Sequence, residues 1–66
     1  MKLIVNGDDR QVPGETQLPG LLTDLGLDGC PCAVEVNGRV VPKRDHETCT
    51  LNEGDVIEIV TLVGGG

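Results

Sequence analysis

The sequence predicts an α+β domain: a mixed four- to five-stranded sheet with one main helix across one face. Three observations predict it. Short β-branched runs alternate with turn dipeptides along most of the chain. A single segment switches to the helical period. One short helix cannot cover both faces of a sheet, which disfavours an all-parallel arrangement.

The elements follow in order. Lys2 to Asn6 reads as a strand, and Asn6-Gly7 as a hairpin turn in which both residues tolerate positive φ. Asp8 and Asp9 extend that turn, and Arg10 to Val12 return as a second strand ended by Pro13-Gly14. Leu18, Leu21, Leu22 and Leu25 fall at i, i+3, i+4 and i+7, one face of a helix. Thr16 is the expected N-cap, Pro19 is tolerated in the first turn, and Gly26 is a natural C-terminal cap. Gly20 weakens this helix by about 1 kcal/mol relative to Ala, so packing must hold it. Cys32 to Val36 is the third strand, Asn37-Gly38 a second hairpin turn, and Arg39 to Val41 the return. Lys43 to Thr48 is polar and expected to be irregular, Asn52 to Asp55 is a turn, and Val56 to Leu62 is the last strand. The pattern fits a β-grasp roll, with residues 1–63 as the domain and 64–66 as a flexible glycine tail. Its expected core is Leu3, Val5, Leu21, Leu22, Leu25, Val34, Val36, Ile57 and Ile59.

Size and composition narrow the function. At 66 residues the chain is one small domain. A chain of this size buries roughly 60% of the surface its unfolded form exposes, too little for a deep enclosed active site. A carrier, substrate or adaptor is expected rather than a stand-alone enzyme. The apolar residues are almost all Leu, Val and Ile, and there is no Phe, Tyr or Trp to stack on bases. A net charge of −6, from 11 acidic and 5 basic residues, would repel a phosphate backbone. Nucleic acid, including the RNA bound by basic relatives of this roll, is therefore excluded as a partner. The same charge can steer the chain towards a basic protein. Three cysteines make no disulfide framework. Met1-Lys2 runs straight into a strand-like segment without a signal-peptide pattern, and no apolar run approaches a membrane span. The expected location is the cytoplasm, with no membrane partner.

The chemistry points to Gly64-Gly65-Gly66. A triglycine after a strand has no side chain to pack and can thread a channel too tight for any Cβ. A terminal α-carboxylate is ionised at neutral pH and can attack the α-phosphate of ATP to give an acyl-adenylate. A sulfur nucleophile can then displace AMP and leave a thiocarboxylate. No side chain of the carrier is needed for either step.

The chain resembles the ThiS family, the sulfur carriers of thiazole assembly in thiamine biosynthesis. The resemblance is carried by Lys2-Leu-Ile-Val-Asn-Gly7, the Leu21-Leu22 helix, Ala33-Val-Glu-Val-Asn-Gly-Arg-Val-Val-Pro42, Asn52-Glu-Gly-Asp-Val-Ile-Glu-Ile-Val60 and Val63-Gly-Gly-Gly66. Together these span nearly the whole chain. The resemblance implies a ubiquitin-like β-grasp fold and adenylation of Gly66 by a ThiF-like adenylyltransferase. It further implies a thiocarboxylate that delivers sulfur to a ThiG-like thiazole synthase. On the same resemblance, ATP is expected to be used by the partner enzyme, with no cofactor bound by the carrier itself. Two departures stand out: Lys43 to Thr50 is shorter than the family pattern, and Pro19 stands where a capping-box Glu is usual. A molybdopterin-type carrier is the second reading, although such carriers tend to have aromatic residues and a proline-rich approach to the tail. A ubiquitin-like protein modifier is the third.

A small metal or redox protein is a fourth. It would rest on Cys30-Pro31-Cys32, Cys49 and His46, but Cys-x-Cys is tighter than the usual zinc or redox spacing. Cys32 reads better as a small half-buried residue and His46 as a solvated loop residue. Strand parity supplies the remaining site residues. With Ile57 and Ile59 facing the helix, Glu58 points outward, and Val56, Val60 and Leu62 share its face. Val60, Leu62 and Ile4, with Glu58 and Val63, are expected to form a partner-docking patch that leads to the tail.

Overall fold

The computed structural model describes residues 1–62. Its elements are β1 (Lys2–Val5), β2 (Asp8–Gln11), α1 (Leu18–Asp24), β3 (Cys32–Val36), β4 (Arg39–Val41), a 3₁₀ helix (Lys43–Thr48) and β5 (Val56–Thr61). The five strands form one sheet in the order β2-β1-β5-β3-β4. β1 and β5 run parallel at its centre, and the other pairs are antiparallel. This is the expected mixed sheet with one main helix.

Both Asn-Gly pairs make the expected two-residue turns. Val5 pairs with Asp8 and Val36 with Arg39. Asn6 and Asn37 take φ of 50° and 52°, and the glycines that follow them also have positive φ. That is the type I′ geometry, whose twist matches the flanking strands. Asp8 and Asp9 are therefore not turn residues. They open β2, because a type I′ turn consumes only two positions.

The same asparagines do a second job. The Asn6 side chain accepts from Ile59 N–H at 2.8 Å and donates to the Ile59 carbonyl at 3.2 Å. The Asn37 carbonyl oxygen accepts from Val56 N–H at 3.0 Å, and its amide donates to Asp55 at 3.0 Å. The other Asp55 oxygen accepts from Asn52 N–H at 2.8 Å. Asp55 is buried, and these bonds offset the cost of removing its carboxylate from water. Each hairpin is thus fastened to β5 at its tip.

Leu3 and Val5 of β1, Leu18, Leu21 and Leu22 of α1, Val34 of β3, and Ile57 and Ile59 of β5 form the core, joined by Val12 and Leu51. Leu25 and Val36, expected inside, are only partly buried and pack against its margin. Leu25 is the C-cap of α1, one residue past the end of the helix. Val36 is the last residue of β3 before its turn.

At seven residues α1 is too short to stand alone and is held by its three buried leucines. Its N-cap is Gln17 rather than Thr16, and no side chain caps it. Thr16 instead closes a turn, donating its N–H to the Pro13 carbonyl at 3.0 Å. Pro19 sits in the first turn, where its missing N–H costs nothing.

Lys43–Thr48 is a 3₁₀ helix, not irregular chain. It packs against α1. His46 is buried there with Nε2 3.1 Å from the Val41 carbonyl, which corrects its expected solvation. The ring faces inward because the short helix lies over the β4 end of the core.

Candidate functional site

The helix covers one face of the sheet and leaves the other open. Period-2 alternation in β5 buries Ile57 and Ile59 and exposes its other positions. Val56 is 43% exposed, Val60 61% and Leu62 53%, too much for side chains that belong to the edge of a core. Glu58 lies between Val56 and Val60 on this face, as expected. Ile4 of β1, half-buried, is in register with Val56. The structure therefore brings Ile4, Glu58, Val60 and Leu62 onto one surface. Val63 and the Gly64, Gly65 and Gly66 tail lie outside the described residues.

Cross-strand register adds residues that parity within one strand could not. Glu58 is paired directly with Glu35 of β3, Glu35 with Val40 of β4, and Val60 with Ala33. Val40 is 69% exposed, the most open of the large apolar side chains among the described residues. Asp9 of β2 pairs with Ile4 at the far side, where it meets Lys2 in an ion pair of 3.5 Å. The result is an apolar surface crossed by a pair of carboxylates. At the end of β5 the Leu62 N–H donates to the Pro31 carbonyl at 2.9 Å, so the last described residue is still pinned to the sheet.

The cysteines do not converge. Cys30, Cys32 and His46 line a groove between α1 and the 3₁₀ helix, without Cys49. Among the described residues no group of three or more His, Cys, Asp or Glu could hold a metal ion. All three cysteines are free thiols. Burial pushes the Cys49 thiol above the usual range, and the carboxylates of Asp55 and Asp45 add to the effect. Iodoacetamide attacks the thiolate, so exposed Cys30 is expected to be alkylated well before Cys49 near neutral pH. The gap should narrow as the pH is raised past the ordinary thiol range and the Cys49 thiolate forms. Peptide mapping against time reads both rates, and equal rates at neutral pH would contradict the burial of Cys49. Linkage has the same origin. The unfolded thiol ionises first, so this group's contribution to stability falls as pH rises past the ordinary thiol range.

Among the described residues no helix is long and apolar enough to cross a membrane. The ThiS family model matches residues 3–66. The chain belongs to the ThiS family. The resemblance read from the sequence is thereby borne out, as is the ubiquitin-like fold. The crystal structure of the thiamine biosynthesis protein ThiS from Geobacter metallireducens superposes with a TM-score of 0.84 at 30% identity, covering 100% of both chains. A thiazole synthase of Paramagnetospirillum magneticum is 41% identical over 66 residues, and one of Magnetococcus marinus is 39% identical. The match takes in 100% of this ThiS-family chain but only 20% of either relative, so the chain spans about a fifth of their length. The uncharacterized protein ycf40 of Porphyra purpurea is 32% identical over 62 residues, which are 94% of this chain and 87% of that protein.

Proposed function

We propose that this chain is a sulfur carrier of thiamine biosynthesis whose working group is the Gly66 carboxylate. A carboxylate oxygen attacks the α-phosphate of ATP on a ThiF-like adenylyltransferase and expels pyrophosphate. A sulfur nucleophile then attacks the carbonyl carbon of the acyl-adenylate, and AMP departs with the bonding electron pair. The resulting thiocarboxylate hands its sulfur to a ThiG-like thiazole synthase. The carrier contributes a narrow tail and a docking surface, and its partners supply magnesium, phosphate contacts and the sulfur source.

The observation that carries this reading is the family match, which continues through residue 66 and so takes in the glycines. The partner reading is supported by the two thiazole synthases, in which the counterpart of this chain and the remaining four-fifths share one polypeptide. The proposed docking surface is Ile4, Glu58, Val60 and Leu62. Binding there places the tail beside the partner's reacting groups at high effective concentration.

Intact mass spectrometry of the protein isolated from thiamine-starved cells of its own source tests the reading. A fraction carrying one oxygen-to-sulfur exchange, localised to Gly66 by fragmentation, is expected. A tail found only as carboxylate, or only in isopeptide linkage to other proteins, would overturn it.

A further inference from the structure

The open face of the sheet carries an arrangement that the folded chain does not explain by itself. Glu35 and Glu58 stand directly opposite each other on adjacent antiparallel strands, and both are exposed. Side chains so placed have Cβ atoms roughly 5 Å apart, and like charges there destabilise the sheet. Among the described residues neither carboxylate has a cation: the ion pairs are Lys2 with Asp9 and Arg10 with Asp24. The remaining basic side chains are placed elsewhere. Arg39 neighbours Val40 on β4 and so has the opposite strand phase, while Lys43 and Arg44 belong to the 3₁₀ helix packed against α1.

The two acids are framed by apolar side chains. Ile4 and Val56 lie towards one end of the strands, Val60 and Ala33 towards the other, and Val40 flanks Glu35. A partner that covered this frame would take the acids out of water along with it. An uncompensated carboxylate pair would then oppose docking strongly, whereas one cation between them would be held more tightly than in solvent. An arginine suits the position, because its planar fork of five donors can serve two carboxylates at once.

We propose that this face docks on a thiazole synthase surface presenting an arginine between Glu35 and Glu58, ringed by aliphatic side chains. The inference rests on the carrier reading above and goes further by stating what the partner's surface must contain. Thiazole synthase is the occupant because its relatives carry the counterpart of this chain within the same polypeptide. The net charge of −6 favours approach to a basic patch. The acid pair also selects, because an apolar surface without a cation is rejected by the buried charge.

The test uses the full chain and the purified thiazole synthase of the same organism. Affinity is measured at low and high salt for the wild type, Glu35→Gln, Glu58→Gln and the double variant, with thermal melts of each carrier alone. The double variant is expected to melt slightly higher than wild type, since the repulsion is gone, yet to bind at least about tenfold more weakly. Its affinity should also depend less on salt. A double variant that binds as tightly as wild type, or keeps the full salt dependence, overturns the arginine seat. So does loss of binding to the adenylating enzyme alone, or self-association of the wild type through this face. If the wild type fails to bind thiazole synthase at all, the partner assignment falls with the seat. The mass measurement at Gly66 still decides the carrier chemistry independently.

Discussion

Deleting Gly66 is expected to reduce adenylation of the tail by about a hundredfold or more while leaving the melting temperature unchanged. Removing one residue shortens the reach by at most about 3.6 Å. A displacement of even about 1 Å from near-attack geometry can cost roughly a hundredfold. Gly65→Ala keeps the reach and should fail for another reason. On the proposed function the tail threads a channel sized for glycine, which an added Cβ would obstruct, and alanine penalises any positive φ that the bound tail requires. Neither change touches a core residue, since the core draws on positions from Leu3 to Ile59. Pyrophosphate exchange with the cognate adenylating enzyme, run beside a thermal melt, separates the effects. Wild-type exchange rates for both variants would remove the tail from the mechanism.

Leu21→Ala is expected to destabilise the domain by about 2–5 kcal/mol, the range for truncating a buried leucine. Leu21 is fully buried, on a seven-residue helix that has no side-chain cap to fall back on. Domain stabilities scale as roughly 0.05–0.15 kcal/mol per residue, so the loss is a large part of the total for so short a chain. A melting temperature lower by about 10 °C or more should result. A loss below about 1 kcal/mol would mean that α1 is not docked through this residue.

What could be read beforehand, and what could not, follows from the range of each signal. Period and turn chemistry are local, so β3 and β4 fall at their expected positions and the Asn-Gly turns at theirs. The outward face of β5 was legible for the same reason, because one strand's parity fixes it. Leu51 was not, since it stands between polar residues with only Cys49 at strand spacing and nothing at helical spacing, yet it is 3% exposed. Val12 lies beyond the end of β2 and is drawn into the core as its N–H donates to the Met1 carbonyl at 2.9 Å. Leu18 was visible on the helical stripe, but its depth depends on contacts that tie Gln17 and Leu18 to Thr50 and Cys49. The burial of His46 is not legible in the sequence, because a polar six-residue run carries no sign that it will coil into a 3₁₀ helix. In the candidate site, the places of Glu35 and Ala33 beside Glu58 and Val60 depend on register between strands distant in sequence, and Val40 joins them only through its hairpin pairing with Glu35.

The parallel pairing of β1 with β5 has a mechanical consequence. Two parallel neighbours begin at the same end of the sheet, so the start of β1 and the finish of β5 lie at opposite ends of one ladder. A pull between those points runs along the strands. It loads the bonds from Ile4 N–H to the Asp55 carbonyl and from Asn6 N–H to the Ile57 carbonyl together, in shear. A hairpin pulled across its strands opens one bond at a time, but this pair must give way at once. Forced unfolding is governed by the unfolding barrier rather than by equilibrium stability. A small domain gripped at the start of β1 and the finish of β5, by a degradative unfoldase or by a pulling probe, should therefore resist with a force out of keeping with its size.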